Sequence, residues 1–193
     1  MTGRTLAACT LFGTIILFAW QTLSNAALPW HQQTMHPFTD TTAAAVRSLR
    51  GQAPTNGMYV NSHGAVVMMS ATADYVDQTT LLPKMMGRQA AIDLFVAAML
   101  CIVAARARDP SPTAFAAVAG FGALAVAAVL ELSNWNWYGF GIGWSLVNVI
   151  DTAISFFVSG FAIAWLAGKM SGRGVNVPAG AGYTAPAAGV MQP

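Results

Sequence analysis

Asp93, Glu131 and Asp151 are the residues best placed to do chemistry, because each lies within or at the edge of a long apolar run. A carboxylate near the centre of a bilayer costs at least about 2.5 kcal/mol even on the lenient insertion scale. Such groups face the interior of a helix bundle, and they often mark a path for protons or ions. Arg88 stands one helical turn before Asp93 and offers a counter-charge. Asn148 stands one turn before Asp151 and offers an interhelical hydrogen bond. These five residues form the candidate intramembrane polar site. Its structural alternative is a plain polar cluster that pins helices together.

A second group is chemically softer. His31, Met35, His36, Met58, His63, Met68, Met69, Met85 and Met86 gather in one polar segment, and histidine with methionine suits Cu(I). Their spacing matches no metal motif, and methionine also fills irregular gaps. His31, Met35, His36 and His63 are therefore only weak metal candidates, and packing is the favoured reading. No cofactor loop is present: Gly139, Gly141 and Gly143 lack the preceding strand and the lysine that a phosphate loop needs. No serine sits in a nucleophile elbow, so the expectation is a protein that is not an enzyme and holds no cofactor.

The elements that must position these residues follow from composition. Of 193 residues, 55% are hydrophobic and only 8% charged. A soluble domain carries about 25% charged residues, so this chain cannot coat a water-exposed globule. The mean hydropathy of +0.53 agrees. A net charge of +2 gives no reason to expect a nucleic-acid partner. Cys9 and Cys101 both fall in apolar runs and read as small buried side chains, not as a disulfide.

Four runs are long enough to span a bilayer: residues 6–27, 90–105, 114–132 and 140–167. The expected fold is an all-α membrane protein with four transmembrane helices and a small mixed extracytoplasmic segment between the first two. Residues 1–30 hold the first span, 31–87 the extracytoplasmic segment, 88–168 a three-helix region and 169–193 a disordered tail rich in Gly, Ala and Pro. Thr39 and Asp40 can cap a short helix. Met58–Val60 and Ala65–Met69 read as two strands of a hairpin. The competing reading of the first run is a cleaved signal peptide, with Arg4 before it and Ser24-Asn25-Ala26 at the cleavage positions. Its length favours an uncleaved helix.

Arg4, Arg106, Arg108, Lys169 and Arg173 fall on one side of such a bundle, which the positive-inside rule makes cytoplasmic. Both termini are then cytoplasmic, in a multi-pass membrane protein. Trp20, Trp30, Trp135, Trp137, Tyr138 and Trp144 read as an aromatic belt at the outer interface. Residues 133–139 read as a tight outer turn.

The run Leu28-Pro29-Trp30-His31 after the first span, Gly57-Met58-Tyr59 in the polar segment and Trp137-Tyr138-Gly139-Phe140 before a last helix bearing Asp151 resemble a group of uncharacterised bacterial four-helix integral membrane proteins. The likeness covers residues 6–168. It implies the four-span topology and carries no catalytic residue. The chain departs from the group's pattern at Gly-Met-Tyr-Val-Asn, where a proline would follow the tyrosine. The expected contacts are the lipid bilayer, and a protein partner or second copies of the chain, in the manner of an accessory subunit. The alternative is a small proton- or cation-coupled transporter that uses Asp93, Glu131 and Asp151.

Overall fold

A computed structural model of the chain describes residues 1–35, 48, 51, 57–60, 66–69, 78–107 and 111–172. Its elements are α1 (Gly3–Ala26), α2 (Trp30–Gln33), β1 (Gly57–Val60), β2 (Val66–Met69), α3 (Gln78–Arg106), α4 (Pro112–Tyr138) and α5 (Ile142–Met170). Four helices are long and apolar enough to cross a membrane: α1, the Pro83–Arg106 part of α3, α4 and α5. The 24 residues of α1 extend about 36 Å at 1.5 Å per residue. Helices are the form to expect here, because lipid cannot satisfy a backbone N–H or C=O that the segment leaves unpaired.

Local chemistry sets the ends. The Thr2 hydroxyl accepts the Thr5 N–H at 3.2 Å and starts α1. Ser111 does the same for α4 through the Ala114 N–H, with Pro112 at the first helical position, where its missing N–H costs nothing. α4 stops at Gly139, whose φ of 72° is left-handed and whose N–H bonds back to the Asn134 carbonyl. This corrects the expected turn over residues 133–139. Trp135, Trp137 and Tyr138 ride on the last turns of α4, and the connection is reduced to Gly139–Gly141. α3 likewise begins at Gln78, a dozen residues before the expected span, and it carries Pro83 within it.

β1 and β2 pair antiparallel, with Gly57 opposite Met69 and Tyr59 opposite Val67. This is the hairpin that two apolar runs around the turn residues Asn61-Ser62-His63-Gly64 predict. The side of the membrane it occupies, the short helix after Asp40 and the tail from Gly174 lie outside the described residues, as do His36, His63, Arg108 and Arg173.

α5 organises the bundle: α1, α2, α3 and α4 all pack on it. On one face it meets α4 through small residues. A Cβ at Gly160 would come within 3.0 Å of the Ala119 Cβ and 3.4 Å of the Ala116 Cα, and one at Gly120 within 3.3 Å of the Ala153 carbonyl. On the other face α5 meets α1 and α3 around Gly13, where a Cβ would stand 2.7 Å from Ile163 Cδ1 and 3.2 Å from Ala97 Cβ. Close helix approach through small residues is how apolar helices gain packing in lipid, where no hydrophobic difference drives them together. Cys9, Leu100, Cys101, Ala119 and Ile163 form the buried core cluster, and both cysteines are free.

Consecutive long helices run antiparallel, so Arg4, Arg106 and Lys169 share one end of the bundle, all exposed. α2 and the short α4–α5 connection lie at the other. The ends are called the basic end and the α2 end below.

Replacing Gly160 by valine is expected to lower the thermal stability of the detergent-solubilised protein by about 1–3 kcal/mol, the usual cost of overpacking. Gly122→Val, on the same helix pair but facing open space, should leave the melting curve unchanged.

Candidate functional site

α1 ends at Ala26, and Pro29 redirects the chain so that α2 folds back over the α2 end of the bundle. This places His31 in the cleft between α1 and α5, with only 3% of its surface exposed. Thr34, at the end of α2, lies against Gly143 on the first turn of α5. The short helix thus acts as a plug whose buried side chain is an imidazole.

The imidazole meets Asp151. His31 Nε2 lies 3.2 Å from Asp151 Oδ2, and the indole Nε1–H of Trp20 donates to Oδ1 at 2.7 Å. Both carboxylate oxygens therefore have a donor, one from α1 and one from α2. Ser24 completes the network: its Oγ accepts from Trp30 Nε1 at 3.0 Å and lies 3.3 Å from His31 Nε2. With Nε2 bonded to a carboxylate, that nitrogen carries the proton and donates, shared between Asp151 and Ser24. The rings of Trp30 and Trp144 stand edge-to-face against the imidazole at 5.9 and 5.6 Å between centroids. Two indoles thus wall the pair off from the aqueous side, which strengthens its electrostatic attraction.

Asp93 sits apart, on α3. It is 1% exposed. Gln89, one turn earlier, donates from Nε2 to Asp93 Oδ1 at 2.9 Å and to Gln21 Oε1 of α1 at 2.7 Å. The other carboxylate oxygen, Oδ2, finds no hydrogen-bond partner among the described residues. The same is true of His31 Nδ1 and of the Ser145, Ser155 and Ser159 hydroxyls.

The expected partners are therefore revised. Arg88 is exposed and makes no ion pair among the described residues, where the single pair is His31–Asp151. The helix turns Arg88 away because it is five residues, not three or four, from Asp93. Asn148 is half-buried and bonds nothing among the described residues; Trp20 and His31 take the place it was expected to fill. Trp20 is not a free belt anchor, since its indole points inward to Asp151. Trp30 and Trp144 also face the site, whereas Trp135, Trp137 and Tyr138 are exposed. His31 is a carboxylate partner here, and Met35 is exposed.

Glu131 belongs elsewhere. It lies on α4 at the mouth of an open groove of about 370 Å³ that runs between α3 and α4 over α5, lined by Leu100, Val103, Gly122, Val126 and Phe156.

Sequence reasoning passed over His31 as a carboxylate partner and the serines of α5. The signal for the serines was present: Ser145, Asn148, Thr152, Ser155 and Ser159 recur at three- and four-residue steps, which is one helix face. His31 carried a weaker signal, a Pro29 turn directly after a span that ends in Ser24.

No family model matches this sequence, and no curated protein or solved structure matches it.

The double-mutant cycle Trp20→Phe with Asp151→Ala, followed by unfolding in mild detergent, is expected to show a coupling energy of about 1.5–3 kcal/mol, the range for a hydrogen bond to a charged group. A coupling of zero would mean that the indole and the carboxylate act independently.

Proposed function

We propose that this multi-pass membrane protein is a non-enzymatic accessory subunit of a larger membrane assembly, and that a helix of the partner lies in the groove between α3 and α4. What carries the reading is the shape of the bundle. α4 packs chiefly on α5, and α3 stands off from it, so the four helices leave one side unfilled. The groove is apolar along most of its length and ends at a half-buried carboxylate, Glu131, that has no cationic partner among the described residues. A carboxylate at membrane depth calls for a donor. The occupant is thus an apolar helix with a lysine, arginine or hydroxyl residue facing Glu131. The Asp151 cluster supports the same reading, since its two oxygens are consumed by internal bonds that fasten α1 and α2 to α5.

Purification in gentle detergent at native expression, followed by native mass spectrometry, is expected to give a stoichiometric complex. Gly122→Phe and Glu131→Lys should release the partner while the chain itself stays folded. A lone monodisperse chain, or a complex indifferent to both substitutions, would sink the accessory reading; a complex of identical chains would make the occupant a second copy.

In this reading the basic end is cytoplasmic, in a bacterial inner membrane, and the α2 end faces outward. A single cysteine introduced at Thr2 or Lys169, in a background with Cys9 and Cys101 replaced by alanine, should resist an impermeant thiol reagent in intact cells and react after lysis. One introduced at Gln32 should react in intact cells.

A second reading, a small proton- or cation-coupled carrier, is favoured by Asp93, a carboxylate buried at span depth with one oxygen unpartnered. It requires that Asp93→Asn abolish a flux in proteoliposomes while the variant inserts normally.

A further inference from the structure

We propose that Asp93 is the terminal ligand of a binding site for a small hard monovalent cation, a proton or a sodium ion, reached from the α2 end along the polar face of α5. The site holds whether or not the cation goes on to cross the membrane.

The argument begins at Gly13, where α1, α3 and α5 converge on Ala97 and Ile163 with no room for a Cβ. That layer, with Cys9 and Cys101 beyond it toward the basic end, is apolar and closely packed. One turn from it toward the α2 end, the same faces of α3 and α5 carry Asp93 and Ser159, four residues before Ala97 and Ile163 respectively. α3 and α5 run parallel, so the two side chains fall in one layer, beside the buried Leu17 of α1. Further toward the α2 end come Ser155, then Gln21 with Gln89 and Trp20 with Asp151 at adjacent positions of α1, then Ser24, His31 and Ser145. Polarity thus rises in steps from a dry seal at Gly13 to the plug helix α2.

Five polar atoms along this column are buried and unpartnered among the described residues: Asp93 Oδ2, Ser159 Oγ, Ser155 Oγ, Ser145 Oγ and His31 Nδ1. Serines within membrane helices ordinarily bond back to the carbonyl four residues before them. Thr14, Thr22 and Ser171 do so here, at 2.7–2.8 Å. The three serines of α5 do not, and all of them face the column. Hydroxyl and carboxylate oxygens are hard donors, the type that binds small hard cations. Asp93 and not Asp151 carries the unpartnered oxygen, because Trp20 and His31 each bond one oxygen of Asp151. The titratable groups on the column are Asp93 from α3, Asp151 from α5 and His31 from α2; α1 contributes Trp20, Gln21 and Ser24, with Cys9 below the seal.

The test is covalent labelling of the full-length purified protein by dicyclohexylcarbodiimide, which attacks protonated carboxyl groups in apolar surroundings, read by peptide mass spectrometry. Asp93 should label and Asp151 should not. The reaction is run in sodium, potassium and choline chloride at equal ionic strength and over a range of acidity. Selective slowing by sodium identifies sodium as the occupant. Labelling that rises with acid and ignores sodium identifies the proton. Ser155→Ala and Ser159→Ala, which fold with the least disturbance, should each change the labelling rate or the sodium protection by about fivefold, the ratio one hydrogen bond supplies. The proposal is overturned if Asp93 of the folded protein does not label at any acidity, or if both serine variants label as the parent does.

Discussion

The structure depends on the requirement that a carboxylate inside a low-dielectric bundle be met by hydrogen-bond donors. Asp151 lies about 13 Å from the start of α5 at helical rise. Left alone there it would carry a desolvation penalty of several kcal/mol. Instead it takes an indole N–H from α1 and an imidazole N–H from α2. Both donors come from more than a hundred residues earlier in the chain than Asp151 itself. Removing one donor leaves the others with a partly satisfied charge, which makes the cluster an all-or-none fastening.

From that fastening the rest of the α2 end follows. His31 can reach Asp151 only if the chain turns at Pro29 and lays α2 across the cleft. Once there, it needs shielding from water, which Trp30 and Trp144 provide. Ser24 receives the Trp30 N–H and so links the plug to the last turns of α1. Aromatic residues that would ordinarily anchor a helix at the membrane surface are thereby drawn into a polar site. Trp135, Trp137 and Tyr138, on the last turns of α4, remain exposed.

α5 has two characters at once. Toward α4 it presents glycine and alanine, and the helices approach until backbone meets side chain. Toward α1 and α3 it presents hydroxyls and a carboxylate, and the approach there is set by hydrogen bonds at the α2 end and by the Gly13 contact nearer the basic end. A helix so divided can be rigid on one side and receptive to small polar guests on the other. The groove beside Glu131 adds a third surface, apolar and open, on the flank where α3 and α4 diverge.

The sequence by itself determined the four spans, because run length and the scarcity of charge are local properties that a bilayer reads directly. It also determined which residues would need explaining: Asp93, Glu131 and Asp151 were conspicuous by their surroundings alone, and the hairpin over residues 57–69 followed from two apolar runs and the turn residues between them. Helix ends were less legible. Residues 133–138 have turn-like composition, yet Gly139 supplies a left-handed cap that lets the helix run through them. Partner choice was decided only by the tertiary structure. Arg88 is the nearest cation to Asp93 in sequence but points outward, while Trp20 and His31, which lie more than a hundred residues before Asp151, supply its donors. Hydrogen bonds between helices depend on rotation about each helix axis and on the depth at which the helices cross. Both are set by where glycines allow close contact, which no single span encodes.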